Sequence, residues 1–394
     1  MCHSSELSRI RVFAIALATL IALAAPAARA QAETPAPTLE PSAQLADLPL
    51  PPGTPSPCAE FGCYNGSVLD GDTVAARGDE YHGVYVFARG ADGSLSLQTL
   101  LSNPELAPAE DDYEFGLRLA VGGDVLVASG ASQNVPKVYV FRRHGATWRY
   151  QQALPGPAIG LLVSHRTVFI GTGADVRVFE PNLRGVFRQS AVLKPPVAVV
   201  NNAFGSSLSF DGLTAVVGAP IQVGYSGAGA AYAFDRFFTF WVFVQKFVPA
   251  GGLIDPAFAS GVGIDRERIA IGAPGTPGVQ PNRPGVVQTY VRRGWQWRAA
   301  DVITNPIPDD GEYRSFGDVL DLQGTRLLVS GNTRYPFAAP ALMNYVFDVR
   351  PAPRLIAVLD AGGARSVQLS GHTALVDQLS FRLGTYPVLF DLPN

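Results

Sequence analysis

The sequence predicts an all-β chain folded as a seven-bladed β-propeller of four-stranded antiparallel blades. The first observation is a strand ending in small residues that recurs seven times. Its copies are DTVAARG (72–78), DVLVASG (124–130), TVFIGTG (167–173), TAVVGAP (214–220), RIAIGAP (268–274), RLLVSGN (326–332) and TALVDQL (373–379). Successive copies start 52, 43, 47, 54, 58 and 47 residues apart. A period of about fifty with no helical pattern between copies marks a propeller or β-array. The second observation is that each copy is flanked by further strand-like runs of period two. The third is punctuation: 41 Gly and 32 Pro, without collagen-like spacing, break the chain into many short strands.

Each unit reads as four strands. The inner strand precedes the marker, as in LRLAV (117–121), SSLSF (206–210), SGVGI (260–264), DVLDL (318–322) and SVQL (366–369). The marker is the second strand. The third is VYVF (84–87 and 138–141), VRVF (176–179), AYAF (231–234), VVQTYV (286–291), NYVF (344–347) and PVLF (387–390). The outer strand follows, for example WRYQQAL (148–154), FWVFVQKF (240–247) and RLIAVL (354–359). On inner strands, apolar residues such as Leu208 and Phe210 alternate with small ones such as Ala120, Ser207, Ser209, Gly261 and Gly263. Wedge-shaped blades crowd at the axis, so this alternation is a packing demand.

The seventh unit stops at Asn394 without an outer strand. The segment SAQLADLP (42–49) resembles the outer-strand sequence YQQALP (150–155). Ser42–Leu48 is therefore expected to complete the last blade, so that an N-terminal strand closes the ring and leaves no open edge. The propeller then spans 42–394. Residues 31–41 form a Pro/Ala-rich segment, with the default reading of an extended linker.

Residues 1–30 read as an export signal. Arg9 and Arg11 precede the apolar run Val12–Ala25, and Ala28-Arg29-Ala30 supplies a cleavage site. The run is short for a membrane span, and no other segment is long and apolar enough. The expected location is the periplasm or outside the cell, with no membrane span after signal cleavage. Cys2 leaves with the signal, so Cys58 and Cys63 become a disulfide candidate in an exported chain. Two thiols without nearby His do not make a zinc site. Hydrophobic content is 47% and charged content 16%, enough for a sizeable core. With Lys+Arg 30 and Asp+Glu 33, the net charge of −3 gives no electrostatic reason to expect nucleic acid or an anionic membrane.

Phe-Gly at 61–62, 115–116, 204–205 and 316–317, with Gly-Ala-Pro at 218–220 and 272–274, resembles the FG-GAP repeat of integrin α-chain propellers and many bacterial exported proteins. The third unit departs, with Ala158-Ile159-Gly160 in place of Phe-Gly. The resemblance implies a propeller and leaves function open. Integrin-type repeats often hold calcium in a DxDxDG loop between the first two strands. Here those turns are short, as in Asp70-Gly71-Asp72, Asp211-Gly212 and Asp265-Arg266. None offers the oxygen ligands calcium takes, so no calcium site, other metal or cofactor is expected. Arg77-Gly78-Asp79 spells the tripeptide some integrins recognise in ligands, a match that arises easily by chance.

Loops entering the inner strand and joining the second and third strands share one face. They carry the ligand-binding candidates Tyr81, His82, Asp111, Asp112, Tyr225, Asp309, Asp310, Arg334 and Tyr335. Long loops with aromatic and charged residues are where propellers bind partners, although exposed charge is also the surface default. Arg118 and Asp321 are the charged inner-strand residues; two groups alone do not define a catalytic centre. His144, His165 and His372 fall on the opposite face and on different blades, which argues against a shared metal or a Ser-His-Asp arrangement. The expected function is a non-enzymatic, exported binding module for a protein or glycan at the cell envelope or outside the cell. The alternative is a polysaccharide lyase or glycosidase with its site at the channel mouth. A structural envelope protein is the third option.

Overall fold

The computed structural model describes residues 36–57, 64–78, 83–106, 113–197, 203–221, 227–250, 255–274, 285–306, 316–331, 343–361, 363–380 and 384–393. The segment 1–30 read as an export signal lies outside them, as do Cys58 and Cys63. Seven antiparallel four-stranded sheets follow one another along the chain as blades of a propeller. Their strands span 64–101, 119–155, 160–193, 208–247, 262–304, 320–359 and 363–391. In blades 1–6 four strands pair in chain order as a meander, whereas blade 7 has three such strands and takes its fourth from the N-terminal segment.

The ring closes with the N-terminal segment. Ala43–Gln44 pairs antiparallel with Gly384–Asp391, the third strand of blade 7, with Ala43 opposite Leu389. The strand is shorter than the sequence suggests, because Leu45–Asp47 turns into a 3₁₀-helix. That turn buries Leu45 among Tyr64, Leu375 and Leu389. One turn earlier, Thr38–Leu39 adds a fifth, parallel strand to the outer edge of blade 6, opposite Val358 and Leu359. Part of the segment expected as linker is thus a second clasp, held by Val358 N–H to Pro37 O (2.9 Å) and Asp360 N–H to Leu39 O (3.1 Å).

The packing between blades explains the repeat. The fifth residue of each second strand is Arg77, Ser129, Gly171, Gly218, Gly272, Ser330 or Asp377. A Cβ on Gly171 would lie 2.0 Å from Gly205 O, on Gly218 2.4 Å from Ala259 O, and on Gly272 1.8 Å from Gly317 O. The Phe-Gly carbonyl of the next blade therefore rests directly on this glycine. The paired Phe fills the space behind it. Phe204 packs on Tyr232 and Phe234, Phe115 on Tyr139 and Phe141, and Phe316 on Tyr345 and Phe347. In blade 1 the expected Phe61-Gly62 lies outside the described residues, and Tyr64 makes the matching contacts with Tyr85 and Phe87. Blade 5 uses Phe258-Ala259, with Ala259 at φ 69° where its sisters are glycine.

Candidate functional site: channel, seams and an aromatic surface

The inner strands supply most of the chemistry flagged in the sequence. Each is the inner edge of its blade, so its backbone groups need partners from elsewhere. Polar side chains of the preceding blade provide them. Ser209 Oγ accepts from Ile264 N–H (3.0 Å), Asp321 Oδ2 from Leu369 N–H (2.7 Å), and Gln368 Oε1 from Leu69 N–H. Ser207 and Ser209 thus do more than relieve crowding: Ser207 Oγ also donates to Ala259 O (2.9 Å). Gly261 and Gly263 meet the crowding demand itself, as a Cβ on either would lie about 3 Å from blade 6 atoms.

The short turns after the inner strands bond the same way. Asp70 Oδ2 accepts from Gly123 N–H, and Asp265 Oδ2 from Gly324 N–H, both at 2.6 Å. Ser370 Oγ accepts from Gly71 N–H (2.7 Å) and Gln323 Oε1 from Gly371 N–H (2.8 Å). The aspartates Asp70 and Asp265 of these turns are inter-blade latches.

Arg118 and Asp321 are engaged in separate joints. Arg118 is exposed and its Nε donates to Ile159 O of blade 3 (3.1 Å). Asp321 is partly accessible along the channel, and desolvation pushes its pKa up to about 6 against the amides of Leu369 and Leu322, which favour the anion. His165 bonds Ser164 Oγ (2.9 Å) and packs edge-on against Phe210, while His372 lies 3.2 Å from Arg326 on another blade. Among the described residues, no group of three or more His, Cys, Asp or Glu side chains is placed to hold a metal.

Two buried charges take the glycine position at the blade 7–1–2 joints. Arg77 is 3% exposed; its Nε donates to Phe115 O (2.8 Å) and its Nη2 to Tyr113 O (2.9 Å). The arginine of Arg77-Gly78-Asp79 therefore bridges blades 1 and 2, while Asp79 lies outside the described residues. Asp377 is fully buried against blade 1. Neither of its oxygens closes a hydrogen bond among the described residues. Burial raises its pKa to about 7, outweighing Arg365, the Ser67 hydroxyl and the Gly66 and Ser67 amides, which favour the anion.

Ion pairs at the ends of the third strands complete the joints. Arg89 reaches Asp391 of blade 7, Arg143 reaches Asp72 of blade 1, Arg236 reaches Glu180 of blade 3, and Arg292 reaches Asp235 of blade 4. Each arginine stands two residues after the third-strand aromatic or its equivalent, a spacing visible in VYVFAR, VYVFRR and AYAFDR. The spacing is local, but the acidic partners lie in the neighbouring blade, so the pairs are not visible in the sequence.

The nine loop candidates, Tyr81, His82, Asp111, Asp112, Tyr225, Asp309, Asp310, Arg334 and Tyr335, all lie outside the described residues. What the described surface does present is an aromatic patch on the opposite face. The hairpin Phe237–Phe240 of blade 4 exposes Phe238 (94%) and Phe240 (72%), and the neighbouring hairpin of blade 5 exposes Trp295 (72%). Phe237 and Trp295 meet across the blade boundary at 5.9 Å. Along the same outer strand, Trp241 turns inward onto Phe169 and Phe210, while Val242 and Phe243 stay exposed.

With this geometry in place, comparison with known families and structures adds a name for the repeat. Residues 187–234 match the FG-GAP repeat model. The chain carries an FG-GAP repeat. The matched stretch runs from the outer strand of blade 3 to the third strand of blade 4, so it includes the Phe204-Gly205 step and Gly218-Ala219-Pro220. A 6-phosphogluconolactonase candidate from Bacteroides fragilis NCTC 9343 superposes with TM-score 0.51 at 12% identity, over 84% of this chain and 94% of that one. A Lactobacillus plantarum protein gives 0.49 at 12%, over 85% and 94%. Sqt1 of Saccharomyces cerevisiae gives 0.47 at 13%, over 85% and 98%. At such identities the likeness is one of fold alone. Comparison with curated proteins found no match.

Proposed function

We propose that this FG-GAP propeller is an exported, non-enzymatic binding module. One observation carries the reading: Asp70, Arg77, Arg118, Asp265 and Asp321 are engaged in holding blades together, whereas large apolar side chains stand exposed on blades 4 and 5. Exposed apolar patches on soluble proteins mark interaction surfaces. A lyase or glycosidase needs two convergent carboxylates or a Tyr/His/Arg cluster, and Asp321 and Arg118 serve separate joints.

Retention of the purified mature chain on an envelope fraction tests the reading. Wild type is expected to be retained and Phe238→Asn/Trp295→Ser to be released, with neither turning over polysaccharides. Equal retention of both proteins, or turnover by either, would contradict it.

A further inference from the structure

The aromatic surface has features that a buried partner of the fold would not need. Phe238 occupies the left-handed region at φ 54°, where a bulky residue is disfavoured and Asn or Gly sits better. Its ring is 94% exposed, so it returns nothing to the fold. Leu183, on the corresponding turn of blade 3, is fully exposed, and Trp295 tops the turn of blade 5. Three adjacent blades thus each lift at least one large apolar side chain at the same kind of turn.

Charge follows the same blades. Residues 160–304 hold thirteen Lys and Arg against eight Asp and Glu, in a chain whose totals are 30 and 33. The balanced whole therefore conceals a basic sector. On its turns Arg166, Arg184 and Arg293 are exposed. None of them forms an ion pair among the described residues, whereas Arg89 and Arg143 at blades 1 and 2 are neutralised by Asp391 and Asp72. With Arg266, which is exposed and 3.8 Å from Asp265, four exposed arginines on these turns face three acids: Asp211 caps Leu213 and Thr214 amides, Asp265 holds Gly324, and Glu267 is exposed.

We propose that blades 3–5 dock on the surface of an anionic phospholipid bilayer. Phe238 and Trp295 enter the headgroup boundary, and Arg184 and Arg293 lie over the lipid phosphates. Aromatic rings are favoured at that depth. Basic residues near an anionic leaflet add attraction one by one, and peripheral binding takes both kinds of signal together. Separate projecting tips suit a soft phase that closes around each of them. The inference rests on the binding-module reading and names its partner by chemistry.

The test is flotation of the mature chain with vesicles of phosphatidylcholine alone or with phosphatidylglycerol admixed. Partitioning is expected to rise about tenfold or more with phosphatidylglycerol and to fall with added salt. Trp295 emission should shift to the blue, since Trp148 and Trp297 are already buried and Trp241 is packed on Phe169 and Phe210. Phe238→Asn/Trp295→Ser should abolish flotation with only a small change in melting temperature, since Trp295 gives up one ring contact with Phe237. Arg184→Gln/Arg293→Gln should remove the preference for phosphatidylglycerol. No flotation of wild type, or flotation indifferent to these variants, overturns the proposal. A concentration-dependent dimer in sedimentation that the aromatic variant abolishes, without flotation, would replace the bilayer by a second copy. Retention on a delipidated envelope fraction, lost in the same variant, would overturn the bilayer and leave the binding module standing.

Discussion

Gly272 and Gly71 show how differently two glycines can serve one blade architecture. Gly71 has φ 57° and open space around its missing Cβ. Alanine there should cost only the left-handed penalty, about 1 kcal/mol. Gly272 has ordinary backbone geometry, but a Cβ would meet Gly317 O at 1.8 Å, and backbone cannot yield as a side chain can. Gly272→Ala is expected to cost about 3 kcal/mol, read as a much larger fall in denaturation midpoint than Gly71→Ala gives. The need for a small residue was legible in the repeated Gly-Ala-Pro; what it touches was not, because the partner lies in the next blade. Asp377 carries the opposite substitution at that position. Its folded pKa is about 7 and that of Asp321 about 6, both above the unfolded 3.8. The folded state holds these protons more tightly, so the stability they give is complete below pH 3.8 and lost as pH rises through 6 and 7. Asp377→Asn is expected to melt higher than wild type at pH 8, with the gap closing towards pH 4. A gap independent of pH would contradict the assignment.

Among the elements, the N-terminal segment does most for its length. Two residues pair with blade 6 and two with blade 7, and between them they cover the outer edges of both last blades. Removing residues 36–41 should lower the melting temperature, and removing 36–48 should lower it much further, because the second deletion also empties the pocket of Leu45. Leu45→Ala alone is expected to cost about 2–4 kcal/mol. The closing strand was legible because the last unit lacked an outer strand and SAQLADLP resembled one. The clasp on blade 6 was not, since two residues between prolines carry no period. The outer strand Phe240–Phe247 was legible as a strand, but its exposure was hidden. Its apolar run reads as buried, and a bulge near Phe234 breaks the alternation that would have separated its faces.

Taken whole, the molecule is a ring whose joints are polar where they might have been only apolar. Asp235 is buried beside Arg292, which donates from Nη1 to Asp235 Oδ1 at 3.1 Å. Arg292→Gln leaves that carboxylate uncompensated and should cost about 3–5 kcal/mol in chemical denaturation. Lys137→Gln, which breaks the more exposed pair with Glu105, should cost under about 1 kcal/mol. The seven-fold scaffold was legible because period and strand pattern agree across the chain. The working surface was not, because net charge averages away a basic sector and composition does not say which aromatics face out. The most direct measurement is hydrogen–deuterium exchange of residues 31–394 with and without vesicles containing phosphatidylglycerol. The account expects slowed exchange confined to the turns of blades 3–5, around 182–186, 237–243 and 293–297. Unchanged exchange there, or protection confined to the opposite face, would contradict it.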